Sequence, residues 1–213
     1  MLEEQVTKKR ILDKSHEMFQ KFGYSKVTME EIAQNLGISK KTLYKFFSNK
    51  KHILTEVISS VKCEVEQKFE IVLSDENSDF IQKLQGVFDI IGENVKYMQG
   101  HLTSDIILNH PEIWSEIQEF KRKKSHVQFS RLIEQGMREG FIKSDISSQL
   151  TVLVYSAALR EIMVPDILSQ IPMSKNQVYH EIIKMLFEGI LSEKGRFRYI
   201  NLQFDSKDKS EVF

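Results

Sequence analysis

Apolar residues recur at intervals of three and four along most of the chain, the spacing of helices with one face turned inward. In the first stretch Ile11, Met18, Phe19 and Phe22 share that spacing, and Gly23 follows where a left-handed cap belongs. A helix is therefore predicted from about Val6 to Phe22. Thr28 stands three residues ahead of Glu31, a capping box that opens a second helix carrying Ile32, Ala33 and Leu36 inward. Gly37 ends it, because the sharp turn needs positive φ. Ile38 fills the corner and Ser39 can cap a third helix. Leu43 and Phe46 of that helix point back into the small core, and Phe47 pins the next helix against it. Asn49 caps this fourth helix, whose apolar positions run from Ile53 through Phe69 to Val72 and predict an unbroken helix to about Leu73. A helix, a glycine-centred turn and a second helix at this spacing make a helix-turn-helix.

The pattern stays helical afterwards. Phe80, Leu84, Val87, Phe88, Ile91, Val95 and Met98 mark a fifth helix after the loop SDENSD. A short piece near SDIILNH stops at Pro111, which can open the next helix as its first residue. Ile113, Ile117, Phe120, Leu132, Ile133 and Met137 carry that helix to Gly140. Asp145 is the expected cap of another, running through Leu150, Leu153, Val154, Ala157 and Ile162 and broken near Pro165. Ser174 and Gln177 form a second capping box, before Val178, Ile182, Met185, Leu186 and Ile190. In the tail, Ile200, Leu202 and Phe204 alternate like a strand that has no partner, and DSKDKSE reads as disordered. The expected fold is all-α. A three-helix helix-turn-helix domain over 1–52 is joined by a long helix to a second, helical domain over 53–195, and 196–213 is a tail of unknown structure.

Composition agrees: 213 residues hold only 9 Gly and 3 Pro. The single cysteine, Cys63, leaves no internal disulfide and no cysteine-rich metal site to build. The opening MLEEQVTKKR lacks the apolar core of a secretory signal, and the longest apolar run, LTVLVYSAAL, is about half of the ~20 residues a membrane span needs. A cytoplasmic, membrane-free protein is expected. Enzyme signatures are missing: there is no G-x-S-x-G, no G-x-G-x-x-G after a strand and no Walker loop, and the six histidines include no H-x-x-x-H pair. No catalytic residue, cofactor or metal is expected.

Charge sharpens the picture. The net formal charge is zero, yet residues 1–52 carry 11 Lys+Arg against 6 Asp+Glu, and the remainder is correspondingly acidic. Between Glu31 and Glu56 there is no carboxylate, while Lys40, Lys41, Lys45, Lys50 and Lys51 fall in that window. Segregated positive charge is an electrostatic footprint for a polyanion. With Leu43 and Phe46 turned inward, Ser39, Lys40, Lys41, Thr42, Tyr44 and Lys45 are left on the outer and flanking sides of the third helix. Its amino-terminal residues are the ones a recognition helix presents to base edges. Tyr44, one turn on, suits a phosphate oxygen. The amino terminus of the fourth helix, with Lys50 in its first turn, is a second phosphate seat, and Thr28 at the start of the second helix a third. Plain solvated charge accounts equally well for Lys45 and Lys51. An alternative reading is an all-helical carrier or a membrane-surface module whose basic helix meets lipid headgroups, although the apolar positions of the third helix are already used inside the motif.

The stretch ILDKSHEMFQKFGYSKVTMEEIAQNLGISKKTLYKFFSNKKHIL resembles the amino-terminal DNA-binding module of the tetracycline-repressor (TetR) family of bacterial transcription regulators. The resemblance is carried by Phe19, Gly23, Thr28, Ile32-Ala33, Gly37-Ile38-Ser39, Thr42, Leu43-Tyr44, Phe47 and Lys50 and covers roughly positions 8 to 55. Ser15 departs from the alanine usual there. The resemblance implies DNA contacts at Thr28, Ser39 to Thr42, Tyr44 and Lys50, and a four-helix dimer interface between the last two long helices of two copies. Leu150, Val154, Ala157, Ile182, Leu186 and Ile190 are the candidates for that interface, although the same helices could simply close the monomer core. A regulator of this build is usually switched by a small molecule. Phe88, Met98, Trp114, Phe129, Met137, Tyr155 and Met163 are candidate wall residues for a small apolar effector, a stripe that a plain core would also show. The function expected is that of a homodimeric regulator, in the first instance a repressor, on a palindromic operator of double-stranded DNA.

Overall fold

The structure is a computed structural model that describes residues 2–97 and 100–208. In chain order the helices are α1 (Leu2–Phe22), α2 (Met29–Leu36), α3 (Lys40–Phe46), α4 (Lys50–Ser74), α5 (Phe80–Tyr97), α6 (His101–Asn109), α7 (Pro111–Arg138), α8 (Ser148–Ile162), α9 (Pro165–Leu168), α10 (Lys175–Ile190) and α11 (Glu193–Asp208). Among the described residues the only β-pairing is an isolated bridge between Ile142 and Leu191. The protein is all-α. Two compact units divide the chain: Met1–Lys68 with Lys96–Gln118, and Phe69–Val95 with Glu119–Phe213. Helix α6 and the first turns of α7 thus belong with the helix-turn-helix, which local periodicity could not show.

The first unit closes around Ile11, Phe19, Ile32, Leu43, Phe47, Ile53 and Leu54, all sealed from solvent, with Leu102 and Ile106 of α6 and Ile113 of α7 packed onto the same core. The local signals act as expected. Thr28 and Glu31 form the reciprocal capping box, Gly37 sits at φ 65°, and its amide donates to α2 carbonyls. Asn49 caps α4 by accepting the His52 amide at 2.8 Å. Phe22 departs from expectation: it is largely exposed at the end of α1, with the Lys21 ammonium 5.2 Å from its ring centroid. Ser15 is fully buried and its hydroxyl has no hydrogen-bond partner among the described residues.

In the second unit Phe187 of α10 is the hub of an aromatic cluster with Phe80, Phe88 and Phe129, at centroid distances of 6.1, 5.9 and 6.0 Å. The α7 helix ends at Arg138, two residues before Gly140 at φ 74°, and α10 opens on the Ser174–Gln177 capping box. Two expectations are corrected. Ser147, not Asp145, caps α8, accepting from the Leu150 amide. Over Glu193–Asp208 the tail is helical rather than strand-like: Ser192 starts α11 by accepting the Gly195 amide at 3.1 Å, and Arg198 pairs with Asp79 at 2.8 Å. The last three residues of DSKDKSE lie outside the described residues.

Two tests follow from buried polar groups. Replacing Ser15 by Ala removes an unsatisfied buried hydroxyl and improves helix propensity, so Ser15→Ala should stabilise the fold by about 1 kcal/mol, about 2–4 °C in Tm; an unchanged or lower Tm contradicts this account of the site. Lys121 is half-buried, and its ammonium is pushed down to about 8 by burial, with the Lys175 charge adding to it. Folding therefore disfavours the charged form, and the full cost is felt below about 8. Between about 8 and the ordinary 10.5 only the unfolded chain holds the proton, so this group makes stability rise with pH there. Lys121→Gln should raise Tm at pH 7 and flatten the rise of Tm above pH 8 relative to wild type; parallel Tm–pH curves would refute the assignment.

Candidate nucleic-acid interface

The turn at Gly37 sets α3 against α2, and Leu43 buries the inner side of α3 completely. What remains outside is the expected set. Ser39 is the cap, its hydroxyl oxygen accepting from the Thr42 amide at 3.0 Å and sharing a hydrogen with the Thr42 hydroxyl at 2.8 Å. Lys41 is exposed and forms no ion pair among the described residues. Tyr44 is 48% exposed, its hydroxyl unbonded among the described residues. Lys40 bridges to Glu30 in the first turn of α2, and Lys45 to Glu4 of α1 at 2.9 Å. Both pairs are exposed, where an ion pair is worth at most about 1 kcal/mol, so a phosphate can take either lysine at little cost. The Lys40 bond is the largest cause holding the Glu30 carboxyl below its usual range. Lys51 lies 3.9 Å from Glu112.

Two of the expected contacts are engaged internally. The Thr28 hydroxyl donates to the Glu31 carboxylate at 2.9 Å while accepting the Glu31 amide at 3.2 Å. Lys50 is turned away from any free role: its ammonium donates to the carbonyls of Tyr24, Ser25 and Val27 at 2.9, 3.3 and 2.7 Å and lies 4.4 Å from the Tyr24 ring centroid. Burial lowers its pKa, opposed by the charges of Asp105 and Glu31. A phosphate could reach this ammonium only by displacing a carbonyl, so Lys50 acts first on the loop between α1 and α2. Sequence reading missed this because the partners lie 23 to 26 residues away. Helix α4 still offers its capped amino terminus, and the bridge from Lys40 to Glu30 brings the first turns of α2 and α3 together.

The candidate effector residues are not gathered in one place. Trp114 packs against the core of the first unit. Met98 lies outside the described residues. Phe88, Phe129 and Tyr155 are buried in the second unit, where the Phe129 and Tyr155 rings stack at 3.9 Å and the Tyr155 and Tyr179 hydroxyls stand 3.4 Å apart. Met137 and Met163 are half-buried. A polar cleft of about 420 Å³, lined among others by Lys83, Arg131, Arg138 and Glu139, includes none of the seven. The dimer candidates also divide. Leu150 and Val154 are largely exposed, as are Leu153 and Met185 beside them in sequence, whereas Ala157 and Leu186 are half-buried. Ile182 and Ile190 are buried in the monomer, on the core side of α10.

Residues 11–57 match the family model described as bacterial regulatory proteins, tetR family. The chain is 30% identical over 140 residues to the HTH-type transcriptional regulator YhgD of Bacillus subtilis, spanning 64% of this chain and 72% of that protein. It is 22% identical over 186 residues to YvaF, another HTH-type transcriptional regulator of B. subtilis, spanning 87% and 96%. Among solved structures, a transcriptional regulator of Cytophaga hutchinsonii superposes with a TM-score of 0.68 at 17% identity, over 85% of this chain and 97% of that one. SmeT, the repressor of the Stenotrophomonas maltophilia multidrug efflux pump SmeDEF, does so with 0.59 at 16% identity, over 87% and 91%. The fold, the helix-turn-helix and these relatives agree: the chain belongs to the TetR family of HTH-type, DNA-binding transcriptional regulators.

Proposed function

We propose that this chain acts as a homodimeric repressor, binding a palindromic operator through α3 and releasing it when a small apolar effector binds. The observation that carries the reading is the outer side of α3: Lys41 and Tyr44 stand exposed beside Ser39 and Thr42, their side chains without a partner among the described residues, on a helix whose inner side is occupied by buried Leu43. In that arrangement Ser39 to Thr42 read base edges, with a lysine donating to guanine and the Thr42 methyl meeting thymine, while Tyr44 and Lys45 hold phosphate. The amide end of α2 at Thr28 and that of α4 beside Lys50 add phosphate seats.

One such module covers too few base pairs for useful specificity, so two copies at fixed spacing are needed. The exposed apolar residues Leu150, Leu153 and Val154 of α8 and Met185 of α10 supply the surface for the second copy. Phe88, Phe129, Met137, Tyr155 and Met163 supply apolar and polarisable side chains for the effector. Repression is in keeping with the role of SmeT, a repressor of similar fold. A regulator of transcription works where the chromosome is, which places it in the cytoplasm. Among the described residues no helix is long and apolar enough to cross a membrane.

Selection of bound sequences from random duplex DNA tests the reading. A palindrome should enrich, and its affinity should fall with a log–log salt slope on the order of −6 to −9 for a dimer. Lys41→Ala and Tyr44→Phe should each weaken binding about fivefold or more. If no sequence enriches while anionic vesicles bind the protein, the membrane-surface reading takes its place. Sedimentation should give a dimer at micromolar concentration, converted to monomer by Leu153→Glu with Val154→Glu; a monomeric wild type would contradict the dimer.

A further inference from the structure

The loop that leads from α1 into α2 is held from two sides by charges of opposite sign. On one side Lys50 of α4 collects the carbonyls of Tyr24, Ser25 and Val27. On the other, Asp105 of α6 accepts the Ser25 amide at 2.5 Å on one carboxylate oxygen and the Ser25 hydroxyl at 2.6 Å on the other. Asn109, one turn along α6, donates to the same carboxylate at 2.6 Å. Gly23 starts the loop at φ 86°, and a Cβ there would stand 3.3 Å from that carboxylate, tighter than ordinary contact and on a strained backbone. Burial pushes the Asp105 carboxyl up, but the bonds from Ser25 and Asn109 outweigh it and hold it below its usual range. Beyond Ser25, whose backbone groups are both engaged, comes Lys26, exposed and without an ion pair among the described residues. Two residues later Thr28 caps α2, and Glu30 in the first turn of α2 holds Lys40 of α3. The loop therefore carries an exposed cation two residues ahead of the cap of α2, the helix whose first turn holds Lys40 of α3.

We propose that Lys26 is a phosphate-binding residue of the DNA interface and that Asp105, from outside the helix-turn-helix, is the residue that positions it. This rests on the DNA-binding reading above. It makes a prediction of unusual sign, since an acid near a DNA surface ordinarily repels the duplex and its removal tightens binding. Here its removal weakens binding, because the loop loses the bonds that fix Ser25 and with it the direction of Lys26. Asn at position 105 keeps an acceptor for the Ser25 amide and a donor for the Ser25 hydroxyl, so the charge can go while the latch stays.

The test uses the full chain and the duplex that the wild-type protein enriches from random sequence, with affinity followed by fluorescence anisotropy across a salt series. Lys26→Ala should weaken binding on the order of tenfold and make the salt slope shallower by about one per subunit. Asp105→Ala, checked by circular dichroism to be folded at the assay temperature, should weaken binding by a similar factor, and Asp105→Asn should restore most of it. The two alanine substitutions together should cost less than the product of their separate effects. Equal or tighter binding by Asp105→Ala, an unchanged salt slope for Lys26→Ala, or fully multiplicative effects would overturn the proposal. Should Asp105→Ala fail to fold, Ser25→Ala removes only the hydroxyl bond and must weaken binding in the same direction; unchanged affinity there would equally overturn it. If the wild type enriches no sequence, the DNA-binding reading has failed and this proposal fails with it, whereas normal wild-type binding with indifferent variants refutes the proposal alone.

Discussion

The Lys50 ammonium, satisfied by three carbonyl oxygens of one loop, is the constraint on which the arrangement of the first unit depends. A half-buried cation needs its donors satisfied, and three carbonyls do so without bringing a carboxylate into contact. The bonds tie the first turn of α4 to the residues that precede α2. Since α2 carries α3 through the Gly37 turn, the amino ends of all three helices are fixed by what one side chain holds. Phe47 completes the device: fully buried between α3 and α4, it prevents the two helices from separating. The surface that results is rich in backbone donors and poor in acid, which is the electrostatic requirement for meeting phosphates.

Acids close to this surface are few, and each has a structural occupation. Glu31 closes the capping box, Glu30 holds Lys40, Glu4 holds Lys45, and Asp105 holds Ser25. These pairings orient cations or backbone. Because the lysine pairs are exposed, they can be exchanged for phosphate with little change in energy. The lysines are thus kept in order in the free protein and remain available to a ligand with a higher density of negative charge.

Much of this was legible in the sequence because the signals are local. A capping box spans four residues, a left-handed glycine ends a helix at its own position, and a buried stripe repeats every turn; so α2, α3 and the start of α4 were readable, as were the Ser39 to Tyr44 surface and the Ser174–Gln177 start of α10. What stayed hidden depends on contacts distant in sequence. Nothing around Asp105 announces a partner 80 residues earlier, and nothing in Trp114 tells that it belongs with the helix-turn-helix core. Helix α8 is apolar on nearly every side, so periodicity does not separate exposed Leu153 and Val154 from buried Val152 and Tyr155. For the cap of α8, Asp145 and Ser147 are chemically equivalent choices two residues apart, and only the Leu150 amide decides between them. Over Glu193–Asp208, three alternating residues are too short a pattern to outweigh a serine cap and an arginine–aspartate pair.

The central claim is that DNA meets the protein at the amino ends of α2, α3 and α4, held together by the loop on Lys50. Hydrogen–deuterium exchange of the full chain, with and without an enriched duplex, tests it most directly. The account predicts that the duplex slows exchange in peptides covering residues 25–31, 39–46 and 49–53. Slowing confined to other helices, with those three segments unchanged, would contradict it.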